Sequence, residues 1–260
     1  MVWTWVRSLG MKRFDRVFLF TFIILACISC GPSLKQRKKD ADIHYRLGAI
    51  YLDDKSYTEA LKELTKAVEL YPDDPNYHNA LGLAYFARGM NDDAIREIKK
   101  SISMDPKFSQ AHVNLAAVYI VERRWDDVIS QSKKALKNIF YGTPELAYVN
   151  MGWAYYNKGD FTDAIESFKK AIEMNQQYPL AYYDAGLAYE KVSDMPDAVG
   201  AYRMAIKKAP DYVDAYYSLG LALIKQKENA EAIKAFEKVI ELSPDGDRAN
   251  SAKGYIKILK

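Results

Sequence analysis

Residues 75–108 read PNYHNALGLAYFARGMNDDAIREIKKSISMDPKF, and the rest of the chain is built on this pattern. The spacing of apolar and small residues predicts two helices, at about 75–88 and 92–104. We name the first helix of such a pair helix A and the second helix B. Gly82 and Ala94 are small, so the two helices can cross closely there. Because one pair cannot bury its apolar face alone, neighbouring copies are expected.

Copies of this unit recur at a step of 34 residues. The place of Gly82 is taken in the other units by Gly48, Ala116, Gly152, Gly186 and Gly220. Proline blocks the continuation of helix B in four units, at Pro72, Pro106, Pro210 and Pro244. The third unit has two extra residues, around Asn138–Pro144. These registers divide residues 41–246 into six units: 41–74, 75–108, 109–144, 145–178, 179–212 and 213–246.

The order Leu-Gly, Tyr, Ala and Pro within 75–108 resembles the tetratricopeptide repeat, and the resemblance covers about four-fifths of the chain. It implies an all-α fold, a right-handed superhelix of six helix-turn-helix repeats. Residues 247–260 are predicted to form one more helix. Its apolar face, made of Ala252, Tyr255, Ile256 and Leu259, would cap the last repeat.

The net charge of +3 comes from the N-terminus. Residues 1–26 contain Arg7, Lys12, Arg13 and Arg16 against Asp15, so the remaining residues balance to zero. A chain with no net charge, in which acidic and basic residues are interspersed, lacks the basic patch that indicates nucleic-acid binding. We therefore expect no nucleic-acid partner.

The N-terminus resembles a bacterial lipoprotein signal. Lys12 and Arg13 precede an apolar run, residues 17–28, that is too short to span a bilayer as a permanent helix. Small or apolar residues precede both Cys27 and Cys30, and either cysteine can be the acylated one. The resemblance implies a signal peptide over 1–30 and a lipid anchor on the periplasmic face of the outer membrane. Residues 31–40 are expected to be a polar tether.

The three histidines do not predict a metal site. His44, His78 and His112 occupy one place in three successive units, so the outer two lie about two repeats apart. Zinc ligands must all lie about 2 Å from one ion, so the histidines are interpreted as packing residues. No catalytic constellation or phosphate-binding loop is apparent, so we expect no enzyme, no cofactor and no small-molecule substrate.

A second stripe of helix A, at unit positions five, nine and twelve, would line the concave groove of a tetratricopeptide array. This stripe is mostly apolar and aromatic, and we expect Trp153 and Tyr156 at its centre. Exposed apolar surface with Tyr and Trp predicts a site for a protein partner, and the alternative is tight superhelical packing that hides part of this surface. The predicted groove residues are Tyr45, Leu52, Leu83, Phe86, Val113, Ile120, Val149, Trp153, Tyr156, Tyr183, Leu187, Tyr217 and Leu221.

A lipoprotein signal, six units and a long junction with Tyr141 and Pro144 together resemble the type IV pilus biogenesis and stability lipoproteins, or pilotins. This resemblance implies an outer-membrane lipoprotein that helps secretin subunits assemble, with a secretin subunit as the suspected partner. The alternative is an envelope adaptor that docks peptidoglycan hydrolases or outer-membrane assembly factors.

Overall fold

The computed structural model describes residues 32–260, which form thirteen α-helices and, within that range, no strand. The all-α prediction is confirmed. The helices are α1 (Leu34–Asp53), α2 (Tyr57–Leu70), α3 (Pro75–Ala87), α4 (Asn91–Met104), α5 (Ser109–Val121), α6 (Trp125–Ala135), α7 (Pro144–Lys158), α8 (Phe161–Met174), α9 (Pro179–Lys191), α10 (Met195–Lys208), α11 (Val213–Lys225), α12 (Asn229–Leu242) and α13 (Asp247–Leu259). By its contacts the chain divides into two units, residues 1–73 and 74–260.

The described part of the first unit is one helix pair, α1 and α2. Helix α1 begins at Leu34, because the Ser33 side chain accepts the Gln36 backbone N–H at 3.2 Å and caps the helix. The Arg37 Nε then donates to the Leu70 carbonyl oxygen at 3.1 Å. Residues 34–40 were expected to belong to a tether, yet they form the first turns of α1. Their lysine, arginine and glutamine residues are good helix formers, and the cap starts the helix early.

The second unit contains five helix pairs followed by α13. Each helix packs on its neighbours in sequence, and the A helices α3, α5, α7 and α9 also contact one another in succession. The side that the A helices share is called the inner face below. Helix α13 places the buried Ala252 and the half-buried Tyr255, Ile256 and Leu259 against the core formed by α10–α12.

The helix crossings depend on small residues. A methyl group added at Gly152 would come within 2.4 Å of the Phe168 ring, and one at Gly186 within 2.4 Å of the Tyr202 ring. The buried ring of helix B therefore occupies the space that a side chain on helix A would need. In the third repeat Ala116 replaces the glycine, and the facing place on helix B holds the small, buried Ser132.

The turn from helix A to helix B has one conformation throughout. One residue in each turn, the first or second after the end of helix A, has a left-handed backbone with φ between 54° and 87°: Lys55, Gly89, Arg123, Gly159, Ser193 and Lys227. Only two of these six places hold glycine, the residue that adopts this conformation without a steric cost.

Candidate protein-binding face

The inner face of residues 74–260 carries eleven of the predicted groove residues. Val113 and Val149 are each only 5% exposed, so they form its floor and cannot contact a partner directly. The other nine are half-buried: Leu83, Phe86, Ile120, Trp153, Tyr156, Tyr183, Leu187, Tyr217 and Leu221. Tyr45 and Leu52, the remaining two, are half-buried on α1 of the first unit.

Trp153 and Tyr156 are brought together on α7. Their ring centroids lie 5.5 Å apart with an interplanar angle of 73°, an edge-to-face contact. Trp153 also meets the Phe168 ring edge-on at 6.5 Å, and Tyr156 meets Phe161 at 5.5 Å. The Lys191 Nζ lies 5.7 Å from the centre of the Tyr156 ring. These contacts fix both rings in place while leaving part of each exposed, so a partner would meet a preorganised aromatic surface.

Two further aromatic groups follow along the same face. Tyr183 lies 5.1 Å from Tyr212 and 5.8 Å from Tyr202, measured between ring centroids. The ring centroids of Tyr217 and Phe236 lie 5.9 Å apart. The Arg248 guanidinium lies over the Tyr217 ring, 5.0 Å from its centroid. Each repeat in this half of the chain therefore presents at least one partly exposed aromatic anchor supported by a buried or half-buried ring.

Asp184 is the polar feature that the sequence analysis missed. It lies on α9, is 1% exposed, and neither carboxylate oxygen has a hydrogen-bond partner within residues 32–260. Burial raises the pKa of Asp184 to about 8, because an unpaired carboxylate is poorly stabilised away from water. The neighbouring Trp153 side chain lowers this pKa in part, although the two groups fall short of hydrogen-bond geometry. Asp184 is therefore largely protonated near neutral pH.

Glu190 lies at unit position twelve of helix A, among the predicted groove positions, and its side chain makes ordered polar contacts. Its carboxylate accepts the Tyr202 hydroxyl at 2.7 Å and pairs with the Lys225 Nζ. The pair joins α9 to α11 at the border of the inner face. The sequence contained a signal for this polar contact, because Glu190 is the one charged residue at its repeat position in the six units.

Amide side chains connect successive A helices. The Asn114 Nδ2 on α5 donates to the Asn79 Oδ1 on α3 at 2.9 Å, and both residues are buried. The Asn150 Nδ2 on α7 reaches the Val113 carbonyl oxygen at 3.5 Å. These contacts lie one repeat apart and hold neighbouring A helices in register.

Each histidine contacts helix B of its own repeat. The Nδ1 atoms of His44, His78 and His112 lie 2.6, 2.7 and 2.8 Å from side-chain oxygens of Glu63, Glu97 and Gln131, each nineteen residues later. The packing interpretation agrees with these contacts. In the later units tyrosines replace the histidines, and the residue nineteen positions on is small: Ser167, Ala201 and Ala235. Over residues 32–260 no group of three or more His, Cys, Asp or Glu side chains could hold a metal ion.

The predicted acylation sites, Cys27 and Cys30, lie outside the described residues, as does the predicted signal peptide. Among the helices of residues 32–260, none is long and apolar enough to cross a membrane.

Family models match the chain over much of its length. Two models of the tetratricopeptide repeat match residues 75–108 and 183–247, and a third, of the TPR repeat, matches residues 50–89 and 152–193. Together the matched ranges cover more than half of the chain. No curated protein sequence gives a significant match.

Solved structures share the fold. PilF from Pseudomonas aeruginosa superposes with a TM-score of 0.74 at 17% identity, over 84% of this chain and 98% of PilF. PilW, a type IV pilus biogenesis factor, has a TM-score of 0.76 at 17% identity, over 82% of this chain and 98% of PilW. MamA has a TM-score of 0.57 at 30% identity, over 66% of this chain and 97% of MamA.

Proposed function

Because the chain belongs to the tetratricopeptide-repeat family, we propose that it is a non-enzymatic scaffold whose inner face binds a polypeptide partner. Repeats of this family bind protein partners. The observation that carries the proposal is the row of fixed, partly exposed rings centred on Trp153 and Tyr156. Tyrosine and tryptophan are typical anchors of protein interfaces, because they bury much area at a small entropic cost.

We further propose that the scaffold serves type IV pilus biogenesis, as an outer-membrane lipoprotein that assists the assembly or stability of the secretin. Three observations support this proposal. Small or apolar residues precede Cys27 and Cys30, as in a bacterial lipoprotein signal, and a long junction follows the third repeat. The fold is also similar to that of PilW. The partner would be a secretin subunit, and acyl chains on the N-terminal cysteine would hold the scaffold at the membrane.

Deletion of the gene tests the pilus role. We expect secretin multimers to disappear while secretin monomers persist, and re-expression of the full chain to restore the multimers. Normal multimers in the deletion strain would contradict the secretin role without contradicting a binding role for the inner face.

Affinity capture from solubilised membranes separates the secretin role from the alternative. Secretin and pilus proteins should co-purify with the full chain. Recovery of peptidoglycan hydrolases or outer-membrane assembly factors in their place would favour an envelope adaptor. Mass spectrometry of the mature N-terminus would identify the acylated cysteine, and an unmodified terminus would contradict the anchor.

A further inference from the structure

The connection between α6 and α7 presents two adjacent apolar side chains to solvent. Ile139 is 86% exposed and Phe140 is 88% exposed, more than any other large apolar side chain in residues 32–260. They lie at the junction where the repeat spacing is lengthened by two residues. A bulky apolar pair is thus exposed to solvent, and such exposed apolar surface usually marks an interaction site.

The exposure of this pair is built into the loop. The Phe140 backbone N–H donates to the Asn138 Oδ1 at 3.0 Å, and the Tyr141 N–H donates to the Asn138 carbonyl oxygen at 3.1 Å. The Tyr141 ring then packs against the buried Val113 and Ala135. The hydrogen bonds to Asn138 and the packing of Tyr141 therefore fix the backbone on both sides of Ile139 and Phe140. The two side chains project from this fixed turn.

Basic side chains surround the apolar pair. Lys107, Lys134 and Lys137 line the same concavity of about 670 Å³ as Ile139 and Phe140, and no acidic residue lines it. Within residues 32–260 none of these three ammonium groups has an ion-pair partner. His112 also lines the concavity, but both of its ring nitrogens are engaged, by the Gln131 Oε1 and the Pro106 carbonyl oxygen. The site is thus apolar at its tip and positively charged at its border.

We infer that this loop docks on the surface of an anionic lipid bilayer. Ile139 and Phe140 enter the boundary between head groups and acyl chains, and the three lysines contact anionic head groups. The highly exposed apolar pair and the surrounding lysines match a bilayer surface, where anionic head groups lie directly above an apolar interior. The long lysine side chains can lie along apolar surface while their charges stay at the head groups.

The bilayer contact is an auxiliary one. Each lysine near an anionic surface strengthens binding by about fivefold, so three lysines and two apolar side chains give a reversible attachment. It would orient the array on the bilayer surface. The inference rests neither on the secretin role nor on acylation of a cysteine, and its failure would leave both untouched.

Photo-crosslinking from position 140 tests the contact locally. The full chain, with p-benzoylphenylalanine in place of Phe140, is bound to vesicles of equal parts phosphatidylglycerol and phosphatidylethanolamine, or of phosphatidylcholine alone. We expect a lipid adduct on the peptide containing position 140 with the anionic vesicles, at least about tenfold more than with the neutral ones. The control places the same group at Val192, an exposed apolar residue beside Lys191, where no such enrichment is expected.

Charge reversal supplies the second arm. Lys134→Glu with Lys137→Glu should reduce the lipid adduct at position 140 at least about tenfold, with unchanged helicity, since both residues are exposed. Equal adduct yields at positions 140 and 192, or no effect of charge reversal, would overturn the inference. Adducts to another polypeptide rather than to lipid would overturn it too, and would assign the loop to a protein partner.

Discussion

At the scale of single residues, size is matched across each helix crossing. Where helix A has glycine, helix B places a bulky residue sixteen positions later, and Gly82 faces Ile98 as Gly152 faces Phe168. Where helix A has Ala116, the residue sixteen positions later is Ser132. The two places must change together, because the helices approach too closely for two large side chains.

Gly152→Ala tests this matching. The added methyl group would lie 2.4 Å from the buried Phe168 ring, so we expect a loss of about 2 kcal/mol or more in unfolding free energy. Gly200→Ala is the matched control. Gly200 is also helical but has no atom within 4 Å of an added methyl group, so this change should stabilise the protein by about 0.5–1 kcal/mol. Chemical denaturation measures both, and similar values for the two variants would contradict the crossing geometry.

Asp184 predicts a specific pH dependence of stability. Its pKa is raised to about 8 in the folded protein, against about 4 for an unfolded aspartate. The folded state therefore binds the extra proton between these values, and the contribution of Asp184 to stability falls as pH rises from about 4 to about 8. Above that range the contribution is constant.

Asp184→Asn should remove this dependence. At about pH 8.5 the variant should be more stable than the wild type by about 2 kcal/mol or more, and the difference should shrink towards pH 5. Denaturation at a series of pH values checks this, with Asp211→Asn, an exposed aspartate, as control. Parallel stability curves for wild type and Asp184→Asn would show that the carboxyl group is not held neutral.

At the scale of the structural element, the turn from helix A to helix B carries strain in four of six units. Ser193 has φ of 62° without being glycine. Ser193→Gly should raise the unfolding free energy by about 0.5–1 kcal/mol, since the steric cost exceeds the entropy that glycine loses. Gly159→Ala at the equivalent turn of the fourth repeat, where φ is 87°, should lower the unfolding free energy by about 1 kcal/mol. If both variants changed the unfolding free energy in the same direction, backbone conformation at this turn would not determine stability.

Helix α13 protects the last repeat. The Tyr255 ring stacks on the buried Phe236 ring at 5.2 Å with an angle of 10°. Tyr255→Ala should cost about 2 kcal/mol and speed amide hydrogen exchange in α11 and α12 while leaving α3 to α6 unchanged. Ile258→Ala, on the same helix but 80% exposed, should have no such effect. Equal exchange in both variants would contradict the capping role.

The helix pairs and the last helix could be predicted from the sequence, because the spacing of small and apolar residues is enough to identify them. The glycines at a step of 34 and the face of Ala252, Tyr255 and Leu259 need no knowledge of distant contacts. The start of α1 was missed, since a charged segment reads as a tether unless the Ser33 cap is noticed.

The inner face could be predicted only in outline. Helical periodicity places Trp153 and Tyr156 on one side, but it does not show which neighbours cover a residue. Val113 and Val149 share a repeat position with Tyr183 and are nevertheless buried. Asp184 was missed for the same reason, because its burial is produced by other repeats, with Trp153 beside it.

At the scale of the whole molecule, residues 74–260 form an array whose stability comes from contacts between successive repeats. The A helices are linked along the inner face by amide contacts, such as Asn114 to Asn79. Side chains on that face are held by their neighbours before any partner arrives. Binding should therefore require little reordering, which favours affinity.

The central claim is that the partner binds at the aromatic centre of the inner face. Trp153→Ala with Tyr156→Ala removes that centre, while Tyr148→Ala with Tyr182→Ala removes two half-buried tyrosines from another side of the A helices. Circular dichroism should show near-native helicity in both.

Calorimetric titration of the full chain with purified secretin tests the claim most directly. We expect the Trp153 and Tyr156 double variant to bind at least about tenfold more weakly than the wild type, as loss of interface anchors predicts. The Tyr148 and Tyr182 double variant should keep its affinity within about twofold. Unchanged affinity in the first variant, or an equal loss in both, would contradict binding at this face.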